Sequence, residues 1–145
     1  MPWSAGNHYY FHVPSEQRAE WTLKLPCEQW AAQDFRNGSY SFAAAAWESA
    51  SLDRAEWIDR MQLKPQLHKI SLQHARTGRE LTFEALHESD WPVVTTWTAG
   101  PSENFFCVEP WSALPDAVHN GHGLRLLAAG ESCEIGCTIH VMTSQ

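Results

Sequence analysis

No stretch of this sequence stays apolar for anything near the roughly 20 residues that cross a bilayer. Residues 1–13 have neither a basic start nor a continuous apolar middle, so a secretory leader is not expected either, and the sequence is expected to be cytoplasmic. Basic charge is scarce as well. Ten Lys and Arg face seventeen Asp and Glu, a net charge of −7, and they are scattered rather than gathered into a stripe. That balance disfavours nucleic acid or an anionic membrane as partner and favours a neutral or small one. Low-complexity stretches and internal repeats are missing. So is any C-x-x-C pair among Cys27, Cys107, Cys133 and Cys137, which predicts reduced core thiols rather than a disulfide or zinc framework. Eight histidines invite a metal reading, with His8 and His12, or His119 and His122, as candidate pairs. His8 and His12 lie in a β-like stretch, where the i, i+4 helical logic of a zinc site does not apply, so no metal and no other cofactor is expected.

Helical periodicity is the next shortage. Tyr9, Phe11 and Val13 alternate with His8, Tyr10 and His12, and Trp21, Leu23 and Leu25 alternate with Thr22 and Lys24, the two-residue period of a half-buried strand. Ile70 and Leu72, then Ala75-Arg76-Thr77-Gly78, then Leu81, Phe83 and Ala85 form a hairpin signal with glycine available for positive φ. Cys133, Ile135, Cys137, Ile139 and Val141 alternate after a turn at Gly130 and predict a closing strand. Phe42 to Asp59, with its alanine run, Trp47, Leu52 and Trp57, is spaced poorly for one helical face and is read as loop and short strand. At 145 residues and 43% hydrophobic, with eight prolines and eight glycines between short strands, the chain fits a single domain over residues 1–145. The expected class is all-β, an antiparallel β-sandwich.

Phe105 to Val118 carries the most specific chemical signal. Phe105, Cys107 and Glu109 share one strand face and Phe106 and Val108 the other, so Glu109 sits on a largely apolar face just before Pro110. A lone carboxylate there must be partnered, protonated, or held in a cleft where a raised pKa suits a general acid or base. The alternative is that the strand ends at Val108 and Glu109 is a solvated turn residue. Eight tryptophans, at positions 3, 21, 30, 47, 57, 91, 97 and 111, serve either a sandwich core or, through a flat face and a polar tip, sugar rings. Trp111, two residues past Glu109, is the candidate sugar-binding ring.

Three local patterns occur in a telling order. They are Asn7-His8-Tyr9-Tyr10-Phe11, then Trp57-Ile58-Asp59, then Glu109-Pro110-Trp111 running into Leu114-Pro115-Asp116-Ala117-Val118. Together they resemble the aldose 1-epimerase (mutarotase) family. That family has an N-H-x-Y-F stretch with a catalytic histidine, a mid-chain aspartate that binds sugar hydroxyls, and a catalytic glutamate a few residues before P-D-A-V. The resemblance implies His8 and Glu109 as catalytic residues, Asp59 as substrate-binding, and a hexose as substrate whose α and β anomers are interconverted by ring opening and reclosure. It also implies half of a mutarotase-like supersandwich. Family members are about twice this length, and their first half supplies an arginine and another histidine that have no counterpart here. The chain therefore corresponds to a C-terminal half, with a homodimer or a partner chain as candidate suppliers of the rest. The other function open to such a chain is that of a non-catalytic carbohydrate-binding or truncated vestigial module. The E-P-W form after Glu109 resembles bacterial members more than the galactose enzymes.

Overall fold

The computed structural model describes residues 1–46 and 48–143; Trp47 lies outside the described residues. In chain order the strands are β1 (Pro2–Trp3), β2 (Tyr9–His12), β3 (Trp21–Lys24), β4 (Gln29–Asp34), β5 (Ser39–Ala44), β6 (Ser49–Ser51) and β7 (Arg60–Leu63). They continue with β8 (Ser71–His74), β9 (Glu80–Ala85), β10 (Val93–Trp97), β11 (Phe105–Trp111), β12 (Arg125–Leu126) and β13 (Cys137–Met142); among the described residues there are also four short 3-10 helices and one short α-helix, α1 (Ala117–Asn120), before β12. Among the described residues the strands form an antiparallel six-stranded sheet in the order β2-β11-β10-β7-β4-β5, a five-stranded sheet β13-β9-β8-β3-β6, and a small β1-β12 pair.

Side-chain alternation explains the sandwich. Leu23, Leu72 and Phe83 from the five-stranded sheet meet Val94, Phe106 and Val108 from the six-stranded sheet, with Val13, Leu25, Trp57 and Trp91 packed among them. Trp21, Leu23 and Leu25 are all buried, as their spacing predicts, and the β8–β9 hairpin turns at Gly78 with φ +63°. β2 and β13 end their sheets on the same side, where the Tyr9 hydroxyl donates to the Cys137 carbonyl at 3.4 Å.

The outer face of the six-stranded sheet carries a second, smaller cluster of Ala31, Met61, Val93 and Leu114, with Trp111 against it. Residues 112–124 cover it and are pinned by Leu114 N–H to the His122 carbonyl (3.1 Å) and Ser112 N–H to the Ala5 carbonyl (2.9 Å). Gly123 closes this loop at φ +77°, where a Cβ would stand 2.8 Å from the Ala113 Cα, so only glycine is compatible. The loop stops short of the strip between β2 and β7, which leaves a cleft there.

Three local expectations change. The closing strand begins at Cys137, since residues 131–136 make no ladder. Cys133 is consequently exposed and not a core thiol, whereas Cys107 is fully buried and Cys27 and Cys137 are half-buried. The strand bearing Glu109 also runs on through Pro110 to Trp111. Proline is tolerated in it because its carbonyl still accepts from Asn7 N–H at 2.9 Å where the sheet is ending.

Candidate functional site

β11 lies between β2 and β10, with Cys107 opposite Tyr10 and Trp97, and Glu109 opposite Thr95. One step further along β2 sets His8 beside Glu109. Period two then puts His8, Tyr10, Thr95, Trp97 and Glu109 on the outer face together. With Asp59 they line a cleft of about 270 Å³, at the small end of ligand pockets and suited to a monosaccharide. The structure thus brings three of the four sequence-predicted residues into one cleft: His8, Asp59 and Glu109.

Glu109 is not a solvated turn residue; it is only 4% exposed. Its Oε2 accepts from the Trp111 indole N–H at 3.2 Å. Its Oε1 lies 3.3 Å from His8 Nε2, off-axis for a hydrogen bond, and has no hydrogen-bond donor among the described residues. Burial raises the Glu109 pKa above the ordinary carboxylate range; the His8 charge and the Trp111 hydrogen bond pull it back, and the Asp59 charge pushes it up again. The outcome is a carboxylate made more basic by its surroundings. Beneath it, burial and then the Glu109 charge push the Cys107 thiol up to about 12.

His8 remains accessible, with its side chain 40% exposed. Its ring stacks on Tyr10 (centroids 4.7 Å apart, planes 10° apart) and meets the Trp97 edge at 6.0 Å. Phe105 backs both Tyr10 and Trp97, at 5.2 and 5.5 Å. This aromatic wall fixes the imidazole plane while leaving Nε2 facing the cleft. The loop behind Phe105 is tied down by buried Arg18, which donates to Thr98 Oγ1 (2.7 Å) and to the Glu103 and Phe105 carbonyls (3.0 and 3.1 Å).

Asp59 occupies the left-handed region at φ +52°, immediately before β7, a conformation unfavourable for a non-glycine residue. A buried polar pair anchors the chain on either side of it. The Thr96 hydroxyl donates to the Trp57 carbonyl and is hydrogen-bonded to the Gln62 amide at 3.2 Å. The neighbouring Arg60 lies over the Trp30 ring at 4.9 Å and donates to the Glu56 carbonyl. The Asp59 carboxylate is left turned to the cleft.

Trp111 occupies a different place from the other three. It lines an adjoining chamber of about 480 Å³ with Trp3, Ala113, Leu114 and Leu124, continuous with the cleft at Thr95, and it reaches the cleft through its bond to Glu109. That chamber is larger but largely apolar and holds no acid–base pair. The indole lining the cleft itself is Trp97. Tyr10, Thr95 and Trp97 escaped the sequence reading, although Thr95 and Trp97 stand two apart and so share a face.

Gly6 was missed as well. It bridges Trp111 across the sheet end, and a Cβ there would lie 1.9 Å from Trp111 Cε3. Only a glycine lets the indole settle where it can hold Glu109.

No protein-family model matches this sequence, and no curated protein matches it. Solved structures do. A putative aldose 1-epimerase from Escherichia coli K12 superposes with a TM-score of 0.79 at 19% identity, over 99% of this chain and 52% of its own. The chain has a mutarotase-like fold. A galactose mutarotase-like protein from Clostridium acetobutylicum gives a TM-score of 0.71 at 15% identity, over 99% and 48%. A Synechocystis protein gives 0.78 at 18%, over 99% and 46%. The chain thus spans about half the length of the mutarotase-like structures it matches. At such identities the likeness speaks for architecture, and function has to be argued from the site.

Proposed function

We propose that this chain interconverts the α and β anomers of a hexose by acid–base ring opening and reclosure. The observation that carries the reading is the His8–Glu109 pair, 3.3 Å apart at the head of a monosaccharide-sized cleft. Glu109 takes the proton of the C1 hydroxyl while His8 gives one to the ring oxygen. The bond between C1 and the ring oxygen breaks, and an open-chain aldehyde forms. Rotation about the C1–C2 bond presents the other face of the carbonyl, and reversal of the two proton transfers recloses the ring, so no atoms or electrons are gained or lost. Burial of Glu109 supports the base role, because a carboxylate with a raised pKa binds the hydroxyl proton more strongly. Asp59 accepts hydroxyl groups and fixes ring orientation. Trp97 offers its face to the sugar, and Trp111 borders it and holds the carboxylate.

A non-catalytic carbohydrate-binding role is the second reading. It is favoured by the absence of lysine or arginine from the described residues lining the cleft, which leaves fewer groups to grip a sugar. Anomer exchange separates the two. Magnetisation transfer between equilibrated α and β glucose or galactose, above buffer and removed by Glu109→Gln, supports the enzyme. Saturable sugar binding without exchange supports the binding module.

A further inference from the structure

Cys107 has no part in the proposed proton transfers, yet its thiol sits against both groups that do. His8 nitrogen, Cys107 Sγ and a Glu109 carboxylate oxygen all lie within 4.8 Å of one another. Cys107 is 0% exposed and Glu109 4%, and Glu109 Oε1 is aimed into the cluster with no hydrogen-bond donor among the described residues. A buried polar atom without a donor calls for a further ligand beside the off-axis His8.

We infer that His8, Cys107 and Glu109 form a binding site for a thiophilic divalent cation of the zinc class. The donor set is one imidazole nitrogen, one thiolate and one carboxylate oxygen, which suits a borderline-soft ion and excludes magnesium and calcium, whose ligands are oxygens. Bonds of about 2.0–2.1 Å to nitrogen and oxygen in a tetrahedron set those two donors about 3.3 Å apart, and His8 Nε2 stands 3.3 Å from Glu109 Oε1. The sulfur has to close by about 1 Å on the pair. Turning the Cys107 side chain about its Cα–Cβ bond closes that gap, while His8 stays stacked on Tyr10 and keeps its spacing to Glu109. The fourth tetrahedral position opens on the cleft beside Asp59 and Thr95. An ion held there commits the lone pairs of Glu109 Oε1 and His8 Nε2, so neither can pass a proton to a sugar, and zinc acts as an inhibitor. The inhibition rests on the function proposed above; the binding does not.

The test uses cobalt(II) added to the purified protein, because a cobalt–thiolate bond shows itself in near-ultraviolet charge-transfer absorption. The parent is expected to develop that absorption with one cobalt per chain and to lose it on adding zinc. Cys107→Ser abolishes it, His8→Ala weakens binding at least tenfold, and Cys133→Ser, at an exposed thiol elsewhere, leaves it unchanged. Thermal melting checks that each variant is folded. If Cys107→Ser fails to fold, His8→Ala decides, since that ring lies at the surface. No absorption in the parent overturns the inference. So does absorption that survives Cys107→Ser, vanishes with Cys133→Ser, or keeps full affinity in His8→Ala. Zinc that abolishes anomer exchange in the parent supports the site; a parent with cobalt absorption and no exchange supports it too, while counting against the enzyme.

Discussion

Gly6→Ala makes the smallest change that should disable the cleft without touching a residue that meets substrate. The added Cβ would stand 1.9, 2.2 and 2.4 Å from Cε3, Cδ2 and Cζ3 of Trp111. Carbon atoms in contact settle at about 3.5 Å or more, so the indole must retreat by about 1.5 Å. These are atoms of the rigid ring system, and rotating a flexible tip away cannot relieve them. The Trp111 Nε1 to Glu109 Oε2 bond starts at 3.2 Å, and a retreat of that size breaks it. Overpacking of this kind costs about 1–3 kcal/mol of stability, and a displacement on the order of 1 Å beside reacting groups costs about a hundredfold in rate. The variant is therefore expected to melt several degrees lower and, where still folded, to exchange anomers about a hundredfold more slowly with His8 and Glu109 intact. Loss of the bond also removes an influence that lowers the Glu109 pKa, so the acid limb of the rate profile moves to higher pH. Unchanged melting and unchanged exchange in Gly6→Ala would refute the claim that this glycine seats the indole and the indole seats the carboxylate.

Other outcomes follow from the same contacts. Trp111→Phe keeps a ring but deletes the donor, so the acid limb of the exchange profile shifts upward with little change in melting; a profile identical to the parent's contradicts the role given to that bond. Glu109→Gln is expected to stabilise the fold near neutral pH by about 1 kcal/mol, the order of the desolvation penalty that raises its pKa. The sign follows from the raised folded pKa: the parent loses stability as pH climbs from the unfolded value of about 4.3 through the folded one, so the gain over parent fades as pH falls and is gone well below about 4.3, where the carboxyl is protonated in both states. Asp59→Gly relieves a non-glycine residue at φ +52° and should stabilise by up to about 1 kcal/mol while raising the KM for sugar; unchanged KM would show that this carboxylate does not bind substrate. Arg18→Met leaves the Glu103 carbonyl without its Arg18 donor and the Phe105 carbonyl with the Thr98 hydroxyl alone, and should cost about 1–3 kcal/mol by denaturant unfolding.

The strand pattern was legible because burial on one sheet face imposes a period of two. Trp21, Leu23 and Leu25 show it, and so does Glu109, whose apolar neighbours along β11 marked it before any fold was known. The pairing of His8 with Glu109 was reachable only through the resemblance. Their contact comes from the β2–β11 register, which joins opposite ends of the chain and leaves no local trace. Gly6 was invisible for the same reason, since its need for space is set by an indole across the sheet. The cluster of His8, Cys107 and Glu109 escaped because histidine spacing along the chain was weighed and cross-strand neighbours were not. The closing strand was drawn too long, because alternation of Cys133 and Ile135 continues past the point where β9 offers a partner. Fold and function also separate: solved mutarotase-like structures share the architecture at 15–19% identity, while the proposed chemistry rests on a handful of side chains on one face of one sheet.

Saturation-transfer NMR on equilibrated glucose and galactose tests the central claim most directly, with the parent chain and Glu109→Gln compared at equal concentration. The account predicts anomer exchange above buffer in the parent and exchange at the buffer rate in the variant. A folded parent that exchanges no faster than buffer, or a Glu109→Gln chain as active as the parent, would contradict it.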